Sequence, residues 1–86
     1  MRAETILVVD DERPMRKYLS ANLRARGYDV ATAEDGTEAL QFLGERSFDL
    51  LILDIMMPGP DGLALLQAVR RSSSVPVLGV PINSGV

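Results

Sequence analysis

Apolar residues along this chain gather in short runs separated by stretches of helical periodicity. The run Thr5-Ile6-Leu7-Val8-Val9 is rich in β-branched side chains and is closed by Asp10-Asp11. A run without polar alternation predicts a strand buried on both faces. Pro14 follows at an early helical position, with Asp11 or Glu12 near the cap. Met15, Tyr18, Leu19 and Leu23 then recur at helical spacing, and Gly27 predicts the stop. Tyr28-Asp29-Val30-Ala31-Thr32 alternates, which predicts an outer strand. Asp35 and Glu38 stand at capping-box spacing ahead of Ala39, Leu40 and Leu43, a second amphipathic helix. Phe48-Asp49-Leu50-Leu51-Ile52-Leu53 is the strongest apolar run; it ends at Asp54 and predicts a central strand.

Met57-Pro58-Gly59-Pro60-Asp61-Gly62 reads as a loop from its Pro and Gly content, with Asp61 placed to cap a helix. Leu63, Leu65, Leu66 and Val69 mark that third helix, which fades into Arg70-Arg71 and Ser72-Ser73-Ser74. Val75 to Val80 predicts a fourth strand, with Pro76 at its start or on an edge. Residues 81–86 carry no pattern. Strand and helix alternate throughout, so the expected architecture is α/β: a doubly wound, mostly parallel sheet with helices on both faces. Sites in such sheets lie at the carboxyl ends of strands, where the strand order reverses.

Composition narrows the chemistry. The 86 residues suffice for one small domain, and 47% hydrophobic with 24% charged residues is ordinary globular usage. Histidine and cysteine are both missing from the sequence. Imidazole bases, Ser-His-Asp triads, thiol redox centres and zinc sites built from His or Cys are thereby excluded. The net charge is −3 and the pI is near 4.7. The cations Arg13, Arg16, Lys17, Arg24 and Arg26 read as the solvated face of the first helix, so direct nucleic-acid binding by this chain is not expected. No apolar run approaches the roughly 20 residues of a membrane span, and no signal-peptide pattern opens the chain. A cytoplasmic location is the default.

Two of the strand-like runs end in carboxylates: Asp10 and Asp11 after the first, Asp54 after the third. If those strands are neighbours, three like charges converge at one sheet edge, an arrangement that favours either a captured proton or a cation. Oxygen-only ligands suit Mg²⁺ or Mn²⁺. An aspartate beside such an ion can act as a nucleophile toward a phosphoryl donor. The competing explanation for any single acid is a helix cap. The matched placement of three acids at two strand ends argues against it.

These features together resemble the receiver domain of bacterial two-component response regulators. The resemblance is carried by Ile6-Leu7-Val8-Val9-Asp10-Asp11-Glu12, by Leu51-Ile52-Leu53-Asp54, and by Met57-Pro58-Gly59-Pro60-Asp61-Gly62. Gly27-Tyr28-Asp29-Val30, Ala33-Glu34-Asp35-Gly36 with Glu38-Ala39-Leu40, and Val75-Pro76-Val77-Leu78 also match, so it spans about residues 5–80. It implies a flavodoxin-like five-stranded parallel sheet, here incomplete, with the fifth strand and last helices missing. Residues 1–86 would form a single truncated receiver with no effector domain. Asp54 would be the phosphoacceptor. Asp11 and Asp54 would bind Mg²⁺ directly together with the backbone carbonyl of Met56, and Asp10 would hold it through water. The donor would be a sensor histidine kinase, a phosphotransfer protein or a small phosphodonor, and the chain would not be a turnover enzyme.

Two departures stand out. The family's Ser or Thr after the fourth strand aligns with Pro81, which has no hydroxyl, and the only lysine is Lys17 in the first helix. A second reading is therefore an interaction module with little phosphotransfer, and on either reading the open sheet edge predicts a homodimer. A third, a metal-dependent phosphohydrolase, is disfavoured by Met56, because phosphohydrolases of the aspartyl-phosphate type often carry an acid two residues after the nucleophile.

Overall fold

In the computed structural model, residues 3–54 and 61–80 are described, with residues 61, 62 and 72 described by their backbone alone. Four strands alternate with three helices: β1 Thr5–Val9, α1 Arg13–Ala25, β2 Asp29–Ala33, α2 Gly36–Glu45, β3 Leu50–Asp54, α3 Asp61–Ser72 and β4 Val77–Val80. The strands form one sheet of order β2-β1-β3-β4, every pair parallel. This is an incomplete flavodoxin-like arrangement.

Strand parity divides the core into two layers. Leu7 and Val9 of β1 and Leu51 and Leu53 of β3 pack with Ala39, Leu65 and Val69 on the α2/α3 side. Their neighbours in sequence, Ile6, Val8 and Ile52, pack with Val30 and with Leu19 and Leu23 of α1 on the other side. Residues 6–9 are all buried, which is the physical meaning of an apolar run that does not alternate. Pro14 and Gly27 both act at the ends of α1, whereas Glu12 at the N-cap makes no side-chain cap hydrogen bond. Pro14 occupies the first turn, where its missing N–H costs nothing. At the other end Tyr28 N donates to Leu23 O at 3.2 Å and Gly27 N to Arg24 O at 3.0 Å. Gly27 takes φ 95°. That pair of bonds is a Schellman closure, and the positive φ is why glycine stands there.

The Asp35 cap forms as expected: Glu38 N donates to Asp35 Oδ1 at 2.8 Å. The return bond lands one residue early, on Glu34 N. Other expectations change. Leu40, expected on the buried face of α2, is exposed. Tyr18 is 64% exposed, and Ser20 takes the buried place on α1 instead. Leu63 of α3 is likewise exposed, while Leu65 and Val69 turn inward. The fourth strand starts at Val77, because Pro76 offers no N–H to the ladder, although its carbonyl accepts from Leu51 N at 2.9 Å.

Candidate metal centre

The site follows from register. β1 pairs with β3 through Val8↔Ile52 and Val9↔Leu53, so the next step along each strand sets Asp10 beside Asp54. The loop turning into α1 adds Asp11. One carboxylate oxygen from each of Asp10, Asp11 and Asp54 lies within 4.8 Å of the others. The three sequence candidates from two strand ends are therefore brought together. Asp10 is 0% and Asp54 2% exposed, whereas Asp11 faces solvent. The fourth expected ligand, the Met56 carbonyl, lies outside the described residues, as do Pro81 and the loop before Asp61.

Asp10 is the most constrained member. Its N–H donates to Ala33 O at 3.1 Å, extending the β1–β2 ladder by one residue. Its Oδ1 accepts from Glu12 N at 2.9 Å. Its carbonyl accepts from Arg16 Nη1 at 2.8 Å, and Arg16 also lies 3.9 Å from Glu34. Only Oδ2 is left, buried and without a hydrogen-bond partner among the described residues. Burial raises the Asp10 carboxyl from its ordinary 3.8 to about 6; the bond from Glu12 opposes the rise, and the nearby charges of Asp54 and Asp11 add to it.

An orphaned buried oxygen inside a cluster of carboxylates is the feature a cation would resolve. The donor set is all oxygen, which suits a hard divalent ion. The residues present therefore fit a metal.

The role of Arg16 is not legible from composition, which places it on a solvated basic face. The available signal is its position one turn into the helix that leaves the acidic strand end. Arg24 is also engaged, donating to Val30 O at 2.9 Å.

Comparison with known proteins gives a consistent picture. The family model for the response regulator receiver domain matches residues 6–84. Transcriptional activator protein PfeR of Pseudomonas aeruginosa is 45% identical over 73 residues, 85% of this chain, and the chain spans 24% of that protein. Response regulator protein TrrA from Thermotoga maritima, solved in complex with Mg²⁺-BeF, superposes with TM-score 0.72 at 46% identity, covering 79% of this chain and 59% of that one. The structure of histidine kinase ThkA in complex with TrrA superposes with TM-score 0.82 at 39% identity, covering 94% and 71%.

Proposed function

The chain belongs to the response regulator receiver family, and on that premise we propose that it takes part in two-component signalling by accepting a phosphoryl group on Asp54 with the help of Mg²⁺. The observation that carries this reading is the convergence of Asp10, Asp11 and Asp54 within 4.8 Å around the unpartnered Oδ2 of Asp10. The donor is a phosphohistidine on a sensor kinase or phosphotransfer protein, as the complex of ThkA with TrrA suggests for a relative. The chain acts in the cytoplasm. Among the described residues no helix is long and apolar enough to cross a membrane.

In this reading an Asp54 carboxylate oxygen attacks phosphorus. A P–O bond forms, the P–N bond to the imidazole breaks, and the imidazole leaves with that electron pair and takes up a proton. Asp10, Asp11 and Asp54 would hold Mg²⁺, which when bound offsets the charge of the three carboxylates and of the transferring group. The chain's own contribution is preorganisation. Ladder pairing fixes Asp54 at the end of a buried strand. The N–H of Glu12 and the guanidinium of Arg16 hold Asp10 through its side chain and its carbonyl.

The test is direct. Treated with a small phosphodonor and Mg²⁺, the chain should gain the mass of one phosphoryl group, and Asp54→Ala should gain none. No labelling after overnight treatment overturns the proposal. It would favour a second reading: an interaction module that pairs with another copy along β4, at the edge of the described sheet, where Leu78 is 49% exposed. Steady hydrolysis of phosphate esters would point instead to a turnover enzyme.

A further inference from the structure

A second charged feature lies outside the acidic cluster. Arg13, Arg16, Lys17 and Ser20 occupy positions i, i+3, i+4 and i+7 of α1 and so share one helix face. With Thr32 of β2 they line a groove of about 240 Å³. Among the described residues the five that line it are polar and three are cationic. Ser20 is buried at its floor, with its hydroxyl donating to Lys17 O at 3.2 Å. Thr32 is half-buried, and its hydroxyl has no partner among the described residues.

The placement runs against the local rules of helix stability. Cations in the first turns face the positive end of the helix dipole. Arg13 and Lys17 repel each other at i, i+4 spacing, as Arg13 and Arg16 do at i, i+3. Acidic residues, which would relieve both effects, are missing from the first turn of α1. Arg16 is partly compensated by the Asp10 carbonyl and Glu34. The side chains of Arg13 and Lys17 have no ion-pair or hydrogen-bond partner among the described residues. Glu12 at the N-cap supplies one negative charge beside them; a local conflict met only in part is of the kind found at functional sites.

We propose that this α1/β2 groove binds a small multivalent oxyanion of the phosphate class, held by Arg13, Lys17 and the Thr32 hydroxyl, with Arg16 adding positive potential from the floor. Size argues for a small ligand. At roughly 30 Å³ per water, the groove holds only several water volumes. A phosphate or pyrophosphate group fits. The groove is independent of phosphotransfer at Asp54, so failure of either proposal leaves the other standing.

The experiment titrates inorganic pyrophosphate, and separately inorganic phosphate, into the isotope-labelled 86-residue chain. The buffer is metal-free and its ionic strength is held constant with sodium chloride. Saturable changes in amide resonance position are expected at Arg13, Lys17 and Thr32, with pyrophosphate binding more tightly than phosphate. The Arg13→Gln/Lys17→Gln double variant should bind at least about tenfold more weakly, since each cation lost removes a charge-assisted hydrogen bond. Without anion it should melt no lower than the parent, because two repelling charges are gone. The proposal is overturned by the absence of saturable changes in the parent, by equal binding in the variant, or by changes centred on other residues.

Discussion

Replacing Asp10 by Asn isolates the energetic cost of the acidic cluster. The carboxyl is fully buried, and its pKa is raised from 3.8 to about 6, chiefly by burial. Raising a pKa by one costs the ionised form about 1.36 kcal/mol, so an ionised Asp10 destabilises the metal-free fold by about 3 kcal/mol. The native state holds its proton to higher pH than the unfolded chain does. Between 3.8 and about 6 it therefore binds more protons, and stability falls as pH rises through that window. Below 3.8 both states are protonated and the penalty vanishes; above about pH 7 it is fully present. Asn keeps an oxygen to accept from Glu12 N and replaces the orphaned Oδ2 with an amide. In chelator at pH 8, Asp10→Asn should therefore be more stable than the parent by about 2–3 kcal/mol. For a chain of this size that is roughly 10–20 °C in Tm. The assay is thermal melting by circular dichroism at half-unit steps from pH 4 to 8. The gap between variant and parent should be near zero at pH 4, open through pH 6 and level off. Parallel curves over the whole range would refute the argument that burial of this carboxylate is the dominant cost.

Other outcomes follow from the same geometry. Mg²⁺ at a hundredfold excess over its dissociation constant should stabilise the parent by ~2.7 kcal/mol, and Asp11→Ala should remove that gain; a melt that ignores millimolar Mg²⁺ contradicts the metal centre. Labelling of Asp54 by a small phosphodonor should be slow, because the resemblance aligns Pro81 with the family's hydroxyl residue and one lost electrostatic contact costs ~3–4 kcal/mol of barrier; complete modification within seconds would show that the contact is dispensable. Arg16→Ala should cost about 1.5–3 kcal/mol by removing a charged donor from the Asp10 carbonyl, measured by urea denaturation, and a neutral result would mean water replaces it freely. Gly27→Ala should destabilise by about 1 kcal/mol because φ 95° is unfavourable for a residue with a Cβ, and an unchanged denaturation midpoint would show that the turn adapts.

Much of this protein is written locally. Unbroken apolar runs name the buried strands, and Gly27, Pro14 and Asp35 mark helix ends, because backbone preference and hydrogen-bond capping act over a few residues. The acids Asp10, Asp11 and Asp54 are visible for the same reason: each ends a strand or stands one or two residues beyond it. Pairing is not local. The order β2-β1-β3-β4 arises when crossovers from both faces of the sheet compete for positions around β1. Only that order and the β1–β3 register set Asp10 beside Asp54. The exposure of Tyr18, the burial of Ser20 and the turn of Arg16 toward the Asp10 carbonyl depend on how α1 seats on β1 and β2. A helix of given periodicity can present an apolar face about 100° wide. Which residues at its margins are buried is decided by the surface it meets, and that surface exists only once the sheet has formed.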